Sequence, residues 1–200
     1  MGRRLLLSLS LGLLFLAPQL GAAQDLGPET VARPPTQYSR YRSTWYVGFG
    51  LGGGYGLVTD NNAAFRPAGT GGLSALVLRI GWVPLPWLLF GLDASGWISP
   101  STDRSVLFQH YDLVLTVFPL YDKGLYGKLG LGAGIISVTR GSGQGPDDKT
   151  SAGVDLKTGL GYEFQVSRAL NLGLETAYTL TGYSGGATHE VCGQVTLTWY

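Results

Sequence analysis

The chain has 200 residues, 32 of them glycine, with 12% aromatic and only 14% charged residues and a formal net charge of +1. That length fits one domain, and without a basic surplus there is no surface for nucleic acid. One cysteine and two histidines exclude a disulfide framework and a zinc-type ligand set, and no apolar run reaches the ~20 residues of a transmembrane helix.

Residues 1–23 read as a secretory signal peptide. Arg3 and Arg4 precede the apolar stretch Leu5 to Leu16, Pro18 follows it, and Gly21-Ala22-Ala23 places small residues before a cleavage point expected after Ala23. Gln24 comes next, so the new N-terminus offers no cysteine for lipid attachment. Loss of Arg3 and Arg4 leaves twelve basic residues against thirteen acidic ones, a net charge of about −1. Residues 24–43, with Pro28, Pro34 and Pro35, read as a flexible periplasmic lead-in with no core of its own.

From Thr44 to Tyr200 hydropathy alternates with a period of two. This predicts eight strands near 44–56, 71–82, 88–98, 107–118, 125–139, 151–165, 170–182 and 188–200. An even set of antiparallel strands closes without a free edge. The connections 57–70, 99–106 and 140–150 are long and polar, whereas 83–87, 119–124 and 166–169 are tight; 183–187 is short although it falls on the long-loop side. The expected fold is all-β, an eight-stranded antiparallel up-and-down transmembrane β-barrel over 44–200, with tight turns in the periplasm and long loops outside.

The two faces of the strands differ chemically. In the first, Val47, Phe49 and Leu51 alternate with Gly48, Gly50, Gly52 and Gly54; in the sixth, Val154, Leu156, Leu160 and Tyr162 alternate with Asp155, Lys157, Gly159, Gly161 and Glu163. The apolar face carries no Asp, Glu, Lys or Arg, as lipid contact requires, because Arg or Lys at mid-bilayer costs about 2–4 kcal/mol. A soluble barrel or sandwich shows the same alternation, but here glycine dominates the face that would have to meet water. Aromatics also gather at the ends of the apolar face: Trp45, Trp82, Phe90, Tyr162, Phe164 and Trp199 on the periplasmic side, Tyr55 and Tyr178 on the outer side. Such girdles suit lipid headgroups.

The opposite face sets Arg79, Lys128 and Lys157 among Asp93, Asp112, Asp155, Glu163, Glu175 and Glu190. An eight-stranded barrel is only wide enough for side chains to fill it, and buried ions must pair. The expectation is a polar plug of salt bridges. The acid surplus implies that water enters or that some carboxyls stay protonated, and a narrow cation-preferring path is the alternative.

This pattern resembles the small eight-stranded outer-membrane proteins, the OmpA transmembrane domain and OmpX among them. The resemblance covers 44–200 and rests on the architecture and on the aromatic end Val195-Thr196-Leu197-Thr198-Trp199-Tyr200. It implies residence in the outer membrane of a Gram-negative cell, contact with outer-membrane lipid and lipopolysaccharide, and handling by the barrel-assembly machinery, which reads a C-terminal aromatic in that group. Here the apolar phase runs through Trp199 rather than Tyr200, a departure from the usual form of that signal. The implied role is non-enzymatic, structural or interactive through external loops, with a small channel resembling OmpW as the alternative.

Chemistry has few footholds. Gly48, Gly50 and Gly53 fit G-x-G-x-x-G, but they lie inside a strand with no helix after them to meet a phosphate. If 99–106 closes a regular hairpin pairing Ile98 with Leu107, then Ser95 faces His110 and Asp93 faces Asp112. That brings Ser95, His110 and Asp112 to the inner wall as the candidate catalytic set of a lipid-modifying enzyme. Outer-membrane lipid A deacylases are barrel enzymes with a Ser-His pair, and their His-x-Ser signature is absent here. The competing reading places all three in the polar plug, and no enzymatic activity is expected. His189 and Cys192 read as packing or interface residues. Asp60-Asn61-Asn62 and Gly145-Pro146-Asp147-Asp148 are oxygen-rich turns open to a partner or calcium. No cofactor or metal is expected.

Overall fold

The computed structural model describes residue 42 and residues 44–60, 70–100, 104–120, 123–140 and 149–200. The stretches read as signal peptide and lead-in, apart from Arg42, and both oxygen-rich turns, apart from the backbone of Asp60, lie outside the described residues. Eight antiparallel strands form: β1 (Trp45–Asp60), β2 (Thr70–Leu85), β3 (Leu88–Pro100), β4 (Arg104–Val117), β5 (Leu125–Arg140), β6 (Lys149–Gln165), β7 (Leu170–Tyr183) and β8 (Gly186–Trp199). Each pairs with the next, and β8 closes on β1 to complete a barrel. The all-β expectation holds, strand for strand.

Register fixes the tilt. Partners followed from Val47 through Ile80, Leu92, Leu113, Leu131, Leu156, Leu180 and His189 return to β1 at Leu57. The ring therefore closes ten residues above its start, from 47 to 57, which tilts the strands by about 40° at ordinary strand spacing. The barrel has a turn end, where β1 begins and β8 finishes, and a loop end opposite.

At the loop end the strands outrun the sequence reading. β1 continues to Asp60 and β4 begins at Arg104, so the connection expected over 99–106 shortens to 101–103. Ladder pairing persists there: Ser99 pairs with Val106 and Ser105 with Thr139.

β2 carries an irregularity that a strict period of two does not foresee. Its register against β3 shifts between Ser74 and Val77, and Leu76 takes φ 76°, a left-handed conformation that costs a leucine about 1 kcal/mol. Ser74 and Val77 are both buried as a result, while Leu73 and Leu76 are exposed. The inward glycines make room for large neighbours: a Cβ on Gly161 would overlap the Tyr126 ring, and one on Gly72 the Trp97 indole.

Candidate functional site: the barrel lumen

The inward side chains of β4 and its flanking turn form a ruler for the lumen. From the turn end they are Phe118, Thr116, Val114, Asp112, His110, Phe108 and Val106, all buried. Along β4 the lumen is thus apolar toward both ends and ionic between them.

Nearest the turn end of the ionic stretch, Glu175 collects the most partners. Arg79 Nη2 donates to its Oε1 at 2.8 Å, Lys128 Nζ at 3.0 Å and Gln194 Nε2 at 2.6 Å, and the Tyr126 hydroxyl donates to Oε2 at 2.7 Å. Lys128 Nζ also donates to Asp93 Oδ2 at 3.0 Å, and Arg79 Nε approaches the same oxygen at 3.5 Å. One level outward, Lys157 pairs with Asp112 and donates to Ser95 Oγ at 3.2 Å. Beyond it His110 bridges two carboxylates, with Nδ1 2.7 Å from Asp155 Oδ2 and Nε2 3.2 Å from Glu190 Oε1.

Both mouths are closed by side chains. At the loop end Trp97, Val106, Phe108, Ile136 and Val138 form a buried apolar cluster, with Val58 against it. At the turn end Tyr46, Val83, Leu89, Phe118 and Tyr126 cluster, and Tyr200 packs on them. Two small cavities in the lumen, one beside His110 and Lys157 and one beside Tyr46 and Arg79, measure about 30 and 20 Å³, each room for one or two waters. Neither offers an open path.

Arg42 completes the turn-end seal. Its guanidinium stacks 3.6 Å from the Phe118 ring centroid, donates from Nη1 to the Pro86 carbonyl at 2.7 Å, and lies 3.5 Å from Glu163 Oε2 through Nη2. Glu163 also accepts from Asn171 Nδ2 at 3.1 Å and from the Tyr200 hydroxyl at 2.8 Å. Burial, with the Glu163 charge beside it, raises the Tyr200 phenol well above its ordinary pKa, so it stays a donor.

All nine residues assigned to the lumen network, Arg79, Asp93, Asp112, Lys128, Asp155, Lys157, Glu163, Glu175 and Glu190, are buried inside. The expected hairpin register is present, with Ser95 opposite His110 and Asp93 opposite Asp112. The hydroxyl and imidazole are not coupled, however: Ser95 accepts from Lys157 while both His110 nitrogens face carboxylates. Asp112 is held by Lys157. The girdle residues Trp45, Trp82, Phe90, Tyr162, Phe164, Trp199, Tyr55 and Tyr178 are all exposed on the outer wall, and Trp45, Trp82 and Phe90 share one row of the register. His189 sits on that wall too, with Nδ1 2.7 Å from the Tyr178 hydroxyl. Cys192 is a half-buried free thiol.

Sequence reasoning missed two groups. Arg42 lies in the stretch read as a lead-in, where it and Arg40 look like ordinary solvated charges. The loop-end cluster did leave a signal: Val106 and Phe108 continue the phase of His110 and Asp112, so the inward face runs on as apolar residues where it had been ionic. Outward neighbours at that level are mixed, Gln109 and Ser137 standing beside Ile98 and Leu107.

No protein-family model matches the sequence, and no curated protein matches it. Solved structures match in fold. Neisserial surface protein A superposes with a TM-score of 0.51 at 16% identity, over 77% of this chain and 96% of its own. The N-terminal β-barrel domain of Pseudomonas aeruginosa OprF gives 0.51 at 13% identity, over 78% and 98%. The fold is that of the small outer-membrane β-barrels.

Proposed function

We propose that the protein is an integral outer-membrane barrel whose lumen is a sealed structural core and whose role is exercised from its loop end, without catalysis. What supports insertion is the outer wall. Among the described strand residues the outward positions carry no Asp, Glu, Lys or Arg, and large apolar side chains such as Leu131, Leu156 and Leu160 stand exposed on it. On β8 the ten residue steps from Trp199 to His189 rise about 25 Å at the tilt given by the register, the height of an outer-membrane apolar band. The turn end then faces the periplasm, and the girdles meet the headgroups of lipid and lipopolysaccharide. Trp199, rather than Tyr200, is the last aromatic offered to lipid and to the barrel-assembly machinery.

The observation that carries the non-transporting role is the lumen itself, ion-paired in the middle and plugged at both mouths. Planar-bilayer recording tests it. The reading expects no stable single-channel openings from the reconstituted protein. Openings abolished by altering Arg79 or Asp112 would establish the channel in its place.

A further inference from the structure

We propose that the mouth at the turn end is a guanidinium-binding socket, occupied in the resting protein by the chain's own Arg42. Four groups of three chemical kinds converge on this one side chain. Phe118 offers a ring face at 3.6 Å, and the Tyr200 ring lies at 5.6 Å on the same cation. The Pro86 carbonyl accepts from one arm of the guanidinium and Glu163 faces the other. Stacking on a ring while donating in plane to two acceptors requires a flat, delocalised cation, which arginine has and lysine lacks.

The socket is built by the barrel and independently of its occupant. Phe118 is 1% exposed and packs on Tyr126 at 5.2 Å between centroids. Glu163 is oriented by Asn171 and by the terminal residue, Tyr200, which also packs on Tyr46. Pro86 belongs to the β2–β3 turn. Two turns, the end of β6 and Tyr200 thus form a preset receptor, and Arg42, which precedes β1, enters it as a ligand. The Arg42 side chain is 1% exposed, and Glu163 and Tyr200, which it meets, also line a small cavity with Tyr46, Arg79 and Thr198; on this proposal its insertion closes the periplasmic approach to that cavity. With Arg42 withdrawn, the socket presents a carboxylate, a carbonyl and two aromatic faces to the periplasm, a site for an arginine side chain supplied from elsewhere.

Thiol labelling of the full chain in detergent tests this, with Cys192→Ser removing the native thiol and Thr198→Cys placing a reporter behind the socket. Arg42→Ala is expected to raise the maleimide labelling rate about tenfold, the order expected on losing a desolvated cation held by an ion pair and a ring face. Guanidinium chloride at about 50 mM, far below the molar range that unfolds proteins, is expected to restore slow labelling, and ammonium chloride at the same concentration is not. Arg42→Lys keeps the charge and is expected to label fast; should Arg42→Ala fail to fold, this variant carries the comparison. Labelling of the Ala or Lys variant at the parent rate would overturn the proposal, as would equal protection by guanidinium and ammonium.

Discussion

Arg79 on β2 and Glu175 on β7 stand 96 positions apart in sequence and meet at 2.8 Å across the lumen. With Lys128, Tyr126 and Gln194 converging on the same carboxylate, Glu175 ties four elements of the wall into one buried unit. Removing one partner from such a cluster leaves buried charge uncompensated, at a cost of about 3–5 kcal/mol. Glu175→Ala is expected to lower the free energy of unfolding by that amount in urea titrations of the vesicle-inserted protein. A change below about 1 kcal/mol, the scale of an exposed ion pair, would show that water already reaches the cluster.

Two glycines of β5 and β8 separate packing need from mere tolerance. A Cβ on Gly132 would overlap the Tyr111 carbonyl oxygen and crowd Asp112, whereas one on Gly193 meets nothing within 4 Å. Gly132→Ala is expected to destabilise by about 1–3 kcal/mol through overpacking. Gly193→Ala should be neutral or stabilising by about 0.5 kcal/mol, since it restricts the unfolded chain. Chemical denaturation of the pair checks the contrast, and equal effects would contradict the assignment of inner and outer faces.

Most of the fold was legible because its physical cause is local. Val47 to Leu51 and Val154 to Tyr162 alternate with glycines and ions, and a period of two leaves the strand little freedom over which side it presents. The lumen residues followed from the same alternation. What the sequence concealed depends on contacts between distant segments. Nothing near Ser74 announces that β2 will slip and hold Leu76 at positive φ. Arg42 becomes a seal only because Phe118, Glu163 and Tyr200 arrive from three other parts of the chain. His110 likewise pairs with Asp155 and Glu190, 45 and 80 positions away, and not with its cross-strand neighbour Ser95.

That last geometry yields a prediction about chemistry. Ser95 accepts from Lys157 and His110 is committed to two carboxylates, so neither is arranged as a nucleophile and base. Ser95→Ala should leave the lipid A of the host membrane unchanged when read by mass spectrometry. Altered acyl content that depends on Ser95 would reinstate the enzyme.

The outer wall can be probed at Leu131, which is 61% exposed midway along β5. Leu131→Arg is expected to cost about 2–4 kcal/mol in vesicle-inserted protein, the penalty for a cation near the bilayer centre. A surface substitution in a water-facing sheet would stay within about 0.5 kcal/mol, so urea titration of this variant distinguishes the two environments.

The most direct measurement is refolding of the chain lacking its first 23 residues from denaturant, with and without detergent micelles. The account predicts β-sheet circular dichroism and a heat-sensitive shift in gel mobility only when micelles or vesicles are present, and aggregation in plain buffer. A monomer that stays dissolved in buffer with the same spectrum would mean that the leucine-rich wall does not face hydrocarbon.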